Sequence, residues 1–301
     1  MPSRLRVTLL VDHQAVRPDL ETEHGLSFLL EVGSKVILFD AGASEAAFRN
    51  AERLRLPWRR ISRIVLSHGH QDHTGGLAAF LAALPEAHVY LHPRAMTPKY
   101  SLHPGKPPRP LSMPQEIHAL LQARMDQLHW ATAPMRLGQG IGLTGPILRR
   151  HPEEAIPGPF FLDPEGREPD PLEDDQALWI ATDQGLVVLL GCAHAGVANT
   201  LDHIRTLTGE ESILAVIGGL HLSAAPEPRI QSTLRALREA GVQRVAPAHC
   251  TGLPATAFIQ ETYGGLGKAL QAGESLEFNT FIKPRETEQN PNFIRAGGEC
   301  P

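Results

Sequence analysis

Ser67-His68-Gly69-His70-Gln71-Asp72-His73 follows an apolar run, Ile61-Ser62-Arg63-Ile64-Val65-Leu66, and precedes the helical pattern that begins near Thr74 and continues through Leu77–Leu84. The run reads as a β-strand, so four potential metal ligands (His68, His70, Asp72 and His73) gather on one strand-end loop. Imidazole nitrogens with a carboxylate suit zinc and other borderline divalent ions. A run without thiolates or a carboxylate cluster argues against iron–sulfur, calcium or magnesium. Alternation along an extended segment puts His68 and His70 on one side, whereas the adjacent Asp72 and His73 can turn toward a second ion. The spacing therefore favours two metals. Histidines this close together with no metal would lose hydration with nothing gained.

Outward from this loop the chain reads as strands and then as alternating strands and helices. Strands are expected at 4–11, 26–32 and 35–40, with Gly33-Ser34 turning the last two into a hairpin, and a helix near 44–55. After a short strand at 88–91 the pattern dissolves, because 15 of the 26 prolines fall between Pro93 and Pro171. Proline fixes φ and lacks a donor, so regular sheet is not expected there. That segment, about 93–175, reads as an insertion or lid with one helix around 115–124, set in a single domain spanning 1–301. A hairpin over 178–190, turning at Asp183-Gln184-Gly185, restores order. Helix 197–208, strand 213–217, helix 227–240, strand 243–246 and a helix near 254–263 then follow. Strands first and β/α alternation afterwards predict a layered α/β or α+β sandwich.

Composition narrows the function classes. The 301 residues are 42% hydrophobic and 20% charged, ordinary for a globular protein. A net charge of -5 supplies no basic field for nucleic acid or anionic lipid. No apolar run approaches a membrane span and the N-terminus lacks a signal-peptide layout, so a cytoplasmic protein with a small-molecule substrate is expected, with no nucleic acid or membrane partner. Cys192, Cys250 and Cys300 are too few for a disulfide framework. The 15 histidines are the outstanding figure.

His68-x-His70-x-Asp72-His73 after a strand resembles the metal motif of the metallo-β-lactamase superfamily, and more of the chain agrees. Residues 35–42 (KVILFDAG) are similar to the family's early strand ending in Asp-x-Gly. EHGLSFLLE (23–31), GCAHAGVANT (191–200), IGGLHL (217–222) and AHCTG (248–252) resemble one branch. Its members are labelled metal-dependent hydrolases or 7,8-dihydropterin-6-yl-methyl-4-(β-D-ribofuranosyl)aminobenzene 5′-phosphate synthase-like. The resemblance implies a four-layer αββα sandwich and two divalent ions, zinc first, with manganese or iron as substitutes. It implies His68, His70 and His194 on one ion, Asp72, His73 and His249 on the other, and Asp40 behind them orienting a ligand or metal-bound water. Superfamily members usually add a bridging Asp at a later strand end, where this chain runs ILAVI into Gly218-Gly219-Leu220-His221 with no carboxylate. His221 is expected there as a ligand, proton donor or substrate contact, and Asp72 and His221 are the residues expected to take part in the reaction.

The implied activity is hydrolysis by a metal-activated hydroxide of a small, anionic or phosphorylated substrate. The alternatives are the pterin-pathway synthase-like enzyme and a nuclease or phosphodiesterase on the same fold. Lys99, Lys106 and Arg109 are sparse for a nuclease groove. A diiron reductase typically carries Glu where His70 stands, and an attached flavodoxin domain. A metal-binding scaffold would not need the full set of six ligands. Cys192 and Cys250, flanking His194 and His249, read as small buried residues or as extra zinc ligands. Asp12-His13 and Glu23-His24 read as solvated or as part of the site mouth. His92, His103, His118, His129 and His151, in or beside the proline-rich segment, read mostly as surface residues, one of which a lid can bring to the substrate.

Overall fold

The structure, a computed structural model, describes residues 3–154, 158–280 and 293–295. Cys300 lies outside them. The first half supplies β1 (Ser3–Val11), β2 (Ser27–Val32), β3 (Lys35–Phe39), helix α1 (Ala46–Arg53), β4 (Ile61–Val65), the short α2 (Gln71–Thr74), α3 (Leu77–Ala83) and β5 (His88–Leu91). The middle holds β6 (Tyr100–Ser101), β7 (Arg109–Pro110), α4 (Gln115–Gln122), β8 (Leu128–Trp130), β9 (Met135–Gly138), β10 (Ile141–Leu143) and β11 (Phe160–Phe161). The remainder is β12 (Leu178–Ala181), β13 (Leu186–Leu190), α5 (Val197–Thr208), β14 (Ile213–Gly218), α6 (Glu227–Glu239), β15 (Arg244–Pro247), α7 (Leu253–Tyr263), β16 (Ser275–Thr280) and β17 (Ile294–Arg295).

These strands form two seven-stranded sheets, β16-β1-β2-β3-β4-β5-β8 and β15-β14-β13-β12-β10-β9-β17, and a small sheet β11-β6-β7. Side chains alternate across each strand, so one strand feeds two layers. Phe28 and Leu30 of β2 join Val187 and Leu189 of β13 between the sheets. Leu29 faces the other way, onto Ala47 of α1 and Phe80 of α3. Val188 and Leu190 pack outward on Leu201 of α5, Leu234 of α6 and Ile259 of α7. The result is an αββα sandwich, each layer stabilised by burial worth about 1.5–3 kcal/mol per large apolar side chain. No helix among the described residues is long and apolar enough to cross a membrane.

The middle segment corrects one expectation: regular sheet does persist there. Its prolines cluster at 93–114 and 146–171, leaving Pro134 alone between α4 and β10. β8 consequently extends the first sheet beside β5, while β9 and β10 extend the second beside β12. The expected helix appears as α4. A second difference concerns the ligand loop, whose end coils into α2, so that Asp72 and His73 sit on a helical turn.

β3, β4 and β5 run parallel, as do β13, β14 and β15. The segments after β1, β3, β4, β13, β14 and β15 carry Asp12, Asp40, His68, Cys192 with His194, His221 and His249. Carboxyl ends of parallel strands are where open α/β sheets place ligands.

Candidate metal centre

Asp40 is the hub of the site. It is fully buried, and one oxygen accepts the Ser67 backbone N–H at 2.6 Å. The other accepts the Ser67 hydroxyl at 2.7 Å and His73 Nδ1 at 2.8 Å. A hydroxyl has one proton, so Ser67 Oγ, having donated to Asp40, must accept from His68 Nδ1, 2.9 Å away. One carboxylate thereby sets two tautomers, leaving the Nε2 lone pairs of His68 and His73 pointing inward. A carboxylate behind a histidine in this way is the usual support of a metal-bound imidazole. Asp40, Ala193, His221 and His249 are non-glycine residues at φ between +52° and +59°, backbone strain concentrated around the site.

The six residues expected as ligands converge in two groups of three. In the first, the rings of His68, His70 and His194 lie 4.5, 4.8 and 5.0 Å apart, with His68 Nε2 3.0 Å from His70 Nδ1. In the second, Asp72 Oδ2 stands 3.2 Å from His249 Nε2 and 3.8 Å from His73 Nε2. The groups adjoin, the rings of His68 and His73 being 4.2 Å apart. His70 Nε2, His221 Nδ1 and both ring nitrogens of His194 and His249 are buried with no hydrogen-bond partner. His249 Nε2 is close to Asp72 but not aligned for a hydrogen bond, an arrangement natural for two donors aimed at one cation. An unmet buried polar group costs about 1–3 kcal/mol, so this many orphans in one place fit a bound cation. The imidazole and carboxylate donors match zinc or a similar divalent ion.

Burial pushes the His68 and His194 imidazoles well below their ordinary range, and His70 down to about 3, so these rings present lone pairs. Burial opposes charge on His73 too, but Asp72 and Asp40 overcome it and lift its pKa to about 9 in the metal-free protein, so a cation bound there would take the place of the Nε2 proton.

His221 reaches the centre from β14. Its ring lies 4.4 Å from that of His194, and its backbone N–H donates to Cys250 Sγ at 3.3 Å. A cavity of about 860 Å³ opens over the site, lined by His70, Asp72, His194, His221 and His249. The middle segment contributes Ser101, His103, Arg109 and Phe160 to its wall, so of the five histidines in or beside that segment His103 reaches it. His92 instead accepts the Arg94 N–H, His129 stacks on Tyr90, and His151 pairs with Asp202.

Sequence reading undervalued the mouth. Asp12, buried, accepts His13 Nδ1 on one oxygen at 2.7 Å and the His249 N–H on the other at 2.8 Å. His13 Nε2 then meets His24 Nδ1 at 2.8 Å, and His24 Nε2 lies 3.3 Å from Asp72 Oδ2. The available signal was an acidic residue next to a histidine at two strand boundaries. Cys192 was undervalued as well: its Sγ lies 3.2 Å from His73 Nε2.

An αββα sandwich with a histidine-lined centre at the carboxyl ends of its strands defines an α/β protein with buried side-chain groups that could hold a metal ion. The chain belongs to the metallo-beta-lactamase superfamily, whose sequence pattern matches residues 21–217. It is 31% identical over 288 residues, 90% of this chain and 95% of the relative, to 7,8-dihydropterin-6-methyl-4-(beta-D-ribofuranosyl)-aminobenzene-5'-phosphate synthase of Methanocaldococcus jannaschii. Among solved structures it resembles a metal-dependent hydrolase of the beta-lactamase superfamily, at 31% identity and a TM-score of 0.76, covering 91% of this chain and 99% of that one. The metallo-beta-lactamase fold protein YhfI of Bacillus subtilis shares the fold at 14% identity and a TM-score of 0.53, covering 92% and 100%.

Proposed function

We propose that the chain is a metal-dependent hydrolase of a small, anionic or phosphorylated molecule. The observation that carries this reading is the set of orphaned, buried imidazole nitrogens converging beneath a cavity of about 860 Å³. His68, His70 and His194 would hold one ion and Asp72, His73 and His249 the other, with Asp40 fixing the tautomers of His68 and His73. Two divalent ions, zinc first, would supply Lewis acidity and water acidified toward neutrality. His221 would hand a proton to the leaving group. Burial pulls its pKa down, but the hydrogen bond and charge of Cys250, with the Asp175 and Asp72 carboxylates, outweigh burial and raise it above the ordinary imidazole value, the direction that suits a proton donor. Arg109, His103, His13 and His24 at the cavity wall favour an anion and make a small-molecule ligand the natural occupant.

A second reading is supported by the identity to the archaeal synthase across 90% of the chain. That enzyme's name specifies a ribofuranosyl 5'-phosphate, the same ligand chemistry, with bond formation in place of hydrolysis. Metal analysis followed by turnover assays separates the two. Protein with about two ions per chain that cleaves a phosphomonoester, phosphodiester, lactone or thioester supports hydrolysis. Loaded protein inert on all four classes, but joining a dihydropterin that bears a leaving group on its 6-methyl carbon to a ribofuranosylaminobenzene phosphate, with release of that group, supports the synthase. Protein with no stoichiometric metal, unimproved by adding it back, overturns both.

A further inference from the structure

The two ligand groups share one side chain. Cys192 Sγ lies within 4.8 Å of donor atoms of His68 and His194, and equally of donor atoms of His73 and His249. Among the described residues no other side chain belongs to three-donor groups on both halves of the centre. Its distance to His73 Nε2, 3.2 Å, matches the roughly 3–4 Å between two donors on one tetrahedral ion with the usual bond lengths. The placement is enforced by the backbone. β13 ends at Leu190, and Gly191 follows so close to the hub that a Cβ there would stand 2.0 Å from Ser67 Oγ and 3.2 Å from Asp40 Oδ2. The next residue, Cys192, is thereby pressed to 3% exposure against the histidines. The unpartnered, buried nitrogens of His194 and His249 independently mark the space on either side of the sulfur as a cation site.

We propose that Cys192 is a thiolate ligand shared by both ions, filling the bridging role for which this chain has no carboxylate. The inference rests on the two-ion reading. On metal binding the thiol proton leaves to solvent and the sulfur lone pairs bond to both ions, a soft ligand that selects zinc or cadmium over magnesium or calcium. Cys250 shares a three-donor group with Cys192 and His221, but none with the six expected ligands. Its sulfur accepts the His221 N–H at 3.3 Å and holds that loop.

The test reads the ligand directly. Metal-free protein is reloaded with the NMR-active cadmium isotope, uptake is measured by elemental analysis, and the cadmium resonances are recorded. A shared thiolate predicts two bound ions and two resonances, both displaced downfield into the sulfur-ligated range. Cys192→Ser moves both upfield, and Cys250→Ser leaves both in place. Cys192→Asp, which supplies the missing carboxylate, retains two ions with both signals in the nitrogen and oxygen range. If Cys192→Ser does not fold, the wild-type and Cys250→Ser spectra still decide. Two bound ions with neither signal displaced, with one displaced, or with displacement that disappears in Cys250→Ser, overturn the inference and leave the two-ion reading standing. Wild-type protein that takes up no cadmium overturns both.

Discussion

Asp40 holds two histidines at once, which makes it the most informative single residue to change. In Asp40→Asn the amide oxygen can still accept the Ser67 N–H, but the NH₂ group then faces His73 Nδ1. His73 must switch tautomer and turn an N–H toward the centre. The expected outcome is a folded protein whose affinity for metal drops about 10–100-fold, measured by competition with a chelating dye. Unchanged affinity would show that Asp40 supports the fold alone. His221→Ala tests the reaction instead of the centre. A proton donor there predicts full metal content and turnover lower by about 10²–10⁴-fold on the best substrate. Loss of one ion would make His221 a ligand, and no change in either would make it structural. At this scale the sequence was legible wherever ligands crowd one short motif, as at His68–His73. It was not legible for Cys192, whose place depends on Gly191 meeting Ser67 across the sandwich. Asp12 is similar, since its service to His249 spans 237 residues.

The middle segment is fastened to the centre by two buried polar devices. Lys99, 1% exposed, sits between Asp170 and Asp174 at 2.9 Å each, and Asp174 also accepts the N–H of Gly69 in the ligand loop at 2.8 Å. Lys99→Met leaves two buried carboxylates without a cation. A loss of about 3–5 kcal/mol is expected in urea unfolding, with the added substitutions Asp170→Asn and Asp174→Asn recovering part of it. The second device docks residues 150–154 onto α5. Asn199 accepts the N–H groups of Arg150 and His151 at 2.6 and 2.9 Å, and Glu154 accepts the Ala198 N–H at the helix start at 2.6 Å. His151 Nε2 meets Asp202 at 2.6 Å, and this hydrogen bond raises the imidazole pKa above 6.5. The folded pKa exceeds the unfolded one, so the stabilisation is complete below about pH 6.5 and fades as pH rises through the raised value. Asp202→Asn should return the His151 titration, followed by NMR, to near 6.5 and flatten that part of the stability profile. Identical titration in both proteins would remove the device. Local pattern revealed α4, because its periodicity lies within eight residues. It hid β8, β9 and β10, strands of three or four residues whose existence depends on sheet edges built elsewhere in the chain.

For the molecule as a whole, the order of strands and helices predicted a layered sandwich, and the near-continuous apolar runs of β2 and β13 fit strands buried on both faces. The closing strand β16, which pairs with β1 at the opposite end of the sequence, was not expected, since Leu276 and Phe278 are its only alternating apolar pair. Metal removal is the experiment for this scale. An ion that binds the folded chain alone stabilises it by RT ln(1 + [L]/Kd), about 2.7 kcal/mol at one hundred times Kd. Chelation should therefore lower the melting temperature and readdition restore it, with a dependence on free metal concentration that a scanning calorimeter resolves. Indifference to chelator would mean that the centre contributes nothing to folding stability. The donors come from both sheets: Asp72 and His73 follow strand β4 of the first, while Cys192, His194 and His249 follow strands of the second. His73 and Cys192 are 119 residues apart in sequence yet touch. A filled centre is thus a cross-link between the halves of the sandwich, closing long loops as a disulfide would, but reversibly and at the ligand-binding edge. Proteases that attack a protein by catching one half ajar would find the loaded form shut, so the lifetime of this protein in a cell would track its supply of metal.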